Sequence, residues 1–96
     1  VSIERVTHPL LDVLEVLLEE DQEKAELYGW LIIQKTGRAG PTVYRVLERL
    51  EQSGWVTGRW EDHEPGRPPR RMYRLTAAGA VDAAGLLRER RPRGEG

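Results

Sequence analysis

Gly40-Pro41-Thr42-Val43-Tyr44-Arg45-Val46-Leu47-Glu48-Arg49-Leu50-Glu51-Gln52-Ser53-Gly54 is the most legible stretch of this 96-residue chain. Pro41 sits where a helix begins, because its missing N–H costs nothing in the first turn, and Ser53-Gly54 ends the pattern. At about 100° per residue, Val43, Val46, Leu47 and Leu50 share one face. Thr42, Arg45, Arg49 and Gln52 share the opposite face. Upstream, a helix is expected over about 24–36, with Leu27, Trp30, Leu31, Ile32 and Ile33 as its apolar side and Gly37 as its stop. Only Gly37-Arg38-Ala39-Gly40 separates the two, so they read as a helix-turn-helix. Gly29, inside the earlier helix, costs about 1 kcal/mol against Ala; close approach of another helix would account for it.

Downstream the period changes. Trp55-Val56-Thr57-Gly58-Arg59-Trp60 and Arg71-Met72-Tyr73-Arg74-Leu75 are strand-like, the second alternating with Tyr73 and Leu75 on one face. The Pro- and Gly-punctuated residues 61–70 between them make a long hairpin tip. Thr76 then caps a helix over Ala77–Arg90, with Ala80, Ala83, Ala84 and Leu87 at helical spacing. At the other end Thr7 caps a first helix, about Pro9–Glu20. Seven of its residues from Leu10 to Leu18 are apolar, among them Leu10, Leu11, Leu14 and Leu18. That arc is wider than one amphipathic stripe, so the helix is expected to be covered on two sides, most economically by a second protomer. Trp30, Trp55 and Trp60 are expected to be packing residues. The predicted fold is mainly α within α+β: a winged helix-turn-helix over 8–76, a C-terminal helix over 77–90 and a disordered tail over 91–96.

Composition narrows the function. Without Cys there is no disulfide or thiolate metal site. His8 and His63 lie far apart with no companion ligand spacing, so no metal is expected. No Ser-His-Asp order, P-loop or G-x-G-x-x-G occurs; neither catalysis nor a cofactor is expected. No apolar run reaches the ~18 residues of a membrane span and no leader is visible, which predicts a cytoplasmic protein without membrane contact. The net charge of −1 conceals an asymmetry. Residues 1–34 hold two bases and eight acids, whereas residues 35–96 hold thirteen bases and eight acids. The second part alone suits a polyanion.

A helix whose outer face fits a major groove about 12 Å wide, followed by a basic hairpin, is suited to double-stranded DNA. Arg45 and Arg49 are able to make bidentate contacts, unless they pair with Glu48, Glu51 or Gln52 along the helix. Thr42, at the helix start, can give its hydroxyl to a phosphate. Arg67, Arg70 and Arg71, around Pro68-Pro69, form a stiff basic finger for phosphate or minor-groove contact.

Leu27-Tyr28-Gly29-Trp30, Pro41-Thr42-Val43-Tyr44-Arg45-Val46-Leu47-Glu48-Arg49-Leu50-Glu51, Gly54-Trp55-Val56 and Gly66-Arg67-Pro68-Pro69-Arg70-Arg71-Met72-Tyr73-Arg74-Leu75-Thr76-Ala77-Ala78-Gly79 together resemble the PadR family of bacterial transcriptional regulators, over roughly residues 8–80. The resemblance implies a homodimeric repressor on a pseudo-palindromic operator. Its DNA contacts would come from Thr42, Tyr44, Arg45 and the basic wing at Arg67, Arg70 and Arg71. It implies dimerisation through the first and last helices, here Leu10, Leu11, Leu14, Leu18, Ala80, Ala83, Ala84 and Leu87. Some family members bind a small, flat aromatic effector at that interface. Pro68-Pro69 lengthens the wing relative to the family's shorter form, and the single last helix matches the short subgroup. ArsR-like winged helices share part of the third-helix pattern, but Tyr44 and Leu75-Thr76-Ala77-Ala78-Gly79 favour PadR. A winged helix acting as a protein-interaction module, an antirepressor or a complex subunit, is the reading from a different class.

Overall fold

A long apolar helix runs through the middle of the molecule, and everything else packs around it. The computed structural model describes residues 5–22, 26–61 and 65–92. The elements are α1 (His8–Gln22), β1 (Leu27–Tyr28), α2 (Gly29–Thr36), α3 (Gly40–Gln52), β2 (Val56–Trp60), β3 (Arg71–Leu75) and α4 (Ala77–Arg90). Thr7 caps α1 by accepting from the Leu10 N–H at 3.2 Å. Around α1 lie α2, α3, α4 and β3. Leu10, Val13 and Leu14 are fully buried, and Leu11, Val16 and Leu17 nearly so.

α1 is expected to be covered on two sides, most economically by a second protomer, and within the chain four elements already lie against it. Much of its apolar breadth is met within the chain, because α2, α3, α4 and β3 lie against it, while Glu15, Leu18 and Glu19 stay at the surface. Leu10, Leu11 and Leu14, expected at a dimer contact, belong to the protomer's own buried residues, as does Ala83 of α4. Leu18, Ala80 and Leu87 remain only partly buried.

The helix expected over 24–36 is shorter at its start; residues 24 and 25 lie outside the described residues. Leu27 and Tyr28 are instead a two-residue strand, pairing antiparallel with Tyr73 and Met72. The sheet therefore has three strands, in the order β1-β3-β2. α2 ends at Gly37, which adopts φ 72° and returns its N–H to the Ile33 carbonyl at 2.9 Å. That left-handed geometry suits glycine, which has no Cβ to clash. Val43, Val46, Leu47 and Leu50 form the buried face of α3 as their spacing requires. β2 and β3 pair from Val56↔Leu75 to Trp60↔Arg71.

The wing is tied down at its base. Thr76 donates its N–H to the Trp55 carbonyl at 2.9 Å and its hydroxyl to the Gly54 carbonyl at 2.9 Å. The same hydroxyl oxygen accepts the Gly79 N–H at 2.8 Å, capping α4. Gly79 lies so close to the Trp55 backbone that a Cβ there would overlap the carbonyl. Trp55 is buried as expected, but Trp30 and Trp60 are not: they are 53% and 61% exposed. Of the segment expected as a disordered tail, Arg91 and Pro92 are described. Arg91 pairs with Asp12 and Glu15, each at 2.9 Å, while residues 93–96 lie outside the described residues.

Candidate nucleic-acid interface

The outer face of α3 and the inner side of the wing flank an open groove. Pro41, Tyr44, Arg45, Glu48 and Glu51 line it from the helix, and Tyr73 from β3. Arg45 is exposed, and among the described residues no carboxylate or ring lies against it. Thr42 is half-buried in the first turn, where backbone N–H groups lack helical partners and the helix dipole favours an anion. Arg49 behaves differently from Arg45. Its guanidinium donates to the Arg5 backbone carbonyl, turning it toward the segment before α1.

Tyr44 is 46% exposed. Its ring covers Gly29 at the start of α2, so closely that a Cβ on Gly29 would overlap ring atoms. The glycine expected to allow a close helix approach thus allows the approach of one tyrosine from α3. Substituting Gly29 would displace Tyr44 from this seat.

Arg67, Arg70 and Arg71 are brought to one region, but none of the three is bare. Arg67 donates to Glu61 at 2.9 Å. Arg70 lies 3.6 Å from the same carboxylate and stacks its guanidinium 4.6 Å from the Tyr28 ring centre. Tyr28 in turn stacks on Trp30 with centroids 6.3 Å apart. Arg71 donates to Glu51 of α3 at 3.0 Å and lies 5.3 Å from the Trp60 ring centre. Outside the groove, Arg59 is paired with Glu26. Partly exposed pairs of this kind each contribute ~0–1 kcal/mol to stability.

Several charges are set by these pairings. Hydrogen bonds from Arg59 hold the Glu26 carboxyl below its ordinary value. Burial pushes the Tyr73 hydroxyl up, and the neighbouring Glu51 charge pushes it further, so it stays neutral in the groove. For Asp12, burial raises the pKa, but hydrogen bonds and charges from Arg38 and Arg91 together outweigh it and hold the carboxyl low. Asp12 thereby joins α1, the turn before α3 and the end of α4, with Arg38 Nε at 2.7 Å.

A second groove runs between α1 and α4. Leu18, Ala84 and Leu87 form its apolar lining, and Glu15, Glu19, Arg88 and Arg91 flank them. Of the residues expected in dimerisation, Leu18, Ala84 and Leu87 meet here, with Ala80 half-buried further along α4. Sequence reasoning missed Glu51, Glu61, Trp60 and Gly58 as participants around the wing arginines. Glu51 meets Arg71 twenty residues away and the others meet their partners across the hairpin, and only Gly58, a glycine inside a strand-like run, carries any local signal.

A family model described as the transcriptional regulator PadR-like family matches residues 13–84. No curated protein matches the chain significantly by sequence. Among solved structures, a PadR-like transcription factor from Bacteroides fragilis is 25% identical, with a TM-score of 0.70 over 83% of this chain and 77% of that one. The circadian clock associated protein Pex from Anabaena is 30% identical, with a TM-score of 0.62 over 84% of this chain and 72% of that one. A PadR family transcription regulator from Clostridium difficile has a TM-score of 0.71 over 86% of each chain; at 19% identity it bears on the fold alone.

Proposed function

The chain belongs to the PadR-like family of transcriptional regulators, and from that premise we propose that it represses transcription as a homodimer bound to a two-fold-related operator. In this reading α3 enters the major groove and the wing lies along the neighbouring backbone. The observation that carries it is Arg45, exposed and without a carboxylate partner among the described residues, on the face of α3 opposite its buried side. Arg45 reads base edges, where a guanidinium can bind guanine in two places. Thr42 and Tyr44 contact phosphate beside it. Arg67, Arg70 and Arg71 contact the backbone or minor groove from the wing, and Arg49 the flanking backbone once it leaves the Arg5 carbonyl.

The apolar strip of Leu18, Ala84 and Leu87 between α1 and α4 supports dimerisation there, with Ala80 extending it. Leu10, Leu11, Leu14 and Ala83 support that surface from beneath rather than meeting the partner. Two-fold symmetry would then set two α3 helices one DNA turn apart.

The experiment is a binding titration on duplex DNA from upstream of the protein's own gene, across a salt series. Tight binding is expected, with log K falling by about 0.9 per neutralised phosphate for each decade of salt. Affinity that is flat with salt, or unchanged in Arg45→Ala combined with Arg71→Ala, would overturn the reading. Size-exclusion chromatography with and without DNA checks the dimer. A monomer that ignores DNA would point instead to a protein-interaction module.

A further inference from the structure

Arg71 is the most constrained of the wing arginines. Its guanidinium is held on one side by Glu51 of α3 at 3.0 Å and covered on another by the Trp60 ring at 5.3 Å. Beneath it lies Gly58, across the β2–β3 pair. A Cβ built on Gly58 would stand 2.9 Å from Arg71 Nη2, 3.0 Å from Arg71 Nε and 3.0 Å from Glu51 Oε2. The missing side chain is therefore the slot in which the ion pair lies. Gly58 does not have a left-handed φ, since the positive values fall on Gly37, Gly54 and Gly66. Its lack of a side chain matters for space rather than for backbone conformation. Nothing else in the strand asks for glycine, which weakens a sheet relative to residues that can pack.

We infer that Glu51 is a positioning residue for DNA binding: together with Trp60, and in the slot left by Gly58, it holds the Arg71 guanidinium in place between α3 and the wing for a phosphate. The inference rests on the DNA-binding reading above. A free arginine loses much rotamer freedom when it meets a phosphate, and one already held loses less. A guanidinium has five N–H donors in a rigid fork. Glu51 engages one Nη, Trp60 covers the plane and the Tyr73 hydroxyl also hydrogen-bonds the side chain, and a fork of five donors still has others for an incoming anion. Because Glu51 is on α3 and Arg71 on β3, the pair also sets the reach of the wing relative to the helix. A carboxylate in a basic groove would otherwise only repel DNA, which gives the two roles opposite signs.

The test uses the full chain, with duplex DNA from upstream of its gene, titrated by fluorescence anisotropy across a potassium chloride series. Thermal melts accompany each variant. Arg71→Ala and Glu51→Gln should each lower affinity about fivefold and reduce the salt slope by about 0.9, the loss of one phosphate contact. The double variant should bind no worse than Arg71→Ala alone, because both remove the same contact. Gly58→Ala should melt at or above the wild-type temperature, since alanine suits a strand better and only flexible side-chain ends must move, yet lose affinity like Glu51→Gln. That divergence of stability and binding is not expected of a merely structural glycine. Glu51→Gln binding as tightly as wild type or tighter, with an unchanged slope, would overturn the positioning role, as would unchanged affinity in Gly58→Ala. If Arg71→Ala itself leaves affinity and slope untouched, the assignment of Arg71 to DNA fails, and the positioning role with it.

Discussion

The outer face of α3 and the wing carry the same kind of side chain in opposite states. On the helix, Arg45 stands in solvent with no carboxylate against it among the described residues. On the wing, Arg67 and Arg70 share Glu61, and Arg71 is held by Glu51 and Trp60. A phosphate or base reaching Arg45 displaces only water. One reaching Arg67 or Arg70 must compete with an existing partner, so its net gain is smaller. On the proposed DNA-binding reading, the helix supplies the binding energy and the wing adjusts it. Counting arginines on the two elements would have ranked them the other way.

The most forceful way to break this contrast acts at the base of the wing. Gly79→Ala would drive a methyl into the Trp55 carbonyl and should lower stability by ~3 kcal/mol, read from urea denaturation. If the helix dominates, the folded fraction of this variant will still bind DNA with the same base preference; a lost preference would place specificity in the wing. Next in size, Arg45→Ala should cost ~2 kcal/mol, or about thirtyfold in affinity, and relax the preference at one base position, as measured by competition with mutated duplexes. A smaller effect of opposite sign is expected for Glu61→Gln. Freeing Arg67 and Arg70 should tighten binding a few-fold at low salt, a gain that fades as salt screens it. Weakening at low salt would mean that Glu61 organises the wing rather than competing for it.

The smallest effect concerns pH and the frame behind both elements. Because Arg38 and Arg91 hold Asp12 below its ordinary value of 3.8, its contribution to stability is complete above that value. It is lost as pH falls through the lowered folded-state pKa. Asp12→Asn should therefore flatten the acid end of the thermal-stability profile and leave affinity for duplex DNA at neutral pH unchanged.

How much of this could be read from the chain follows from the range of each interaction. The buried face of α3, the Gly37 stop of α2, the two wing strands and the Thr76 cap are each encoded within a few residues of the chain, and all were legible. β1 was not, because two residues cannot show an alternation. Leu27 and Tyr28 are a strand only by virtue of Tyr73 and Met72 far along the chain. The breadth of α1 was visible, but whether a partner or the chain itself covers it depended on how four elements wrap around one helix. Charge partners were the least accessible. Glu51 was a candidate for Arg45 or Arg49 on its own helix and pairs with Arg71 instead, twenty residues away. Trp30 and Trp60 were expected to pack; their rings lie at the rim, where Tyr28 and Arg71 meet them.

The β2–β3 ladder continues one step beyond the strands, where the Glu61 N–H meets the Arg70 carbonyl at 2.9 Å. That bond closes the hairpin before its tip begins, so strand register does not depend on how many residues lie between. Closing a flexible loop of twice the length costs only ~0.6 kcal/mol more. The tip can therefore be lengthened or trimmed as a separable part, and its reach along a duplex retuned, while the ladder below keeps its alignment.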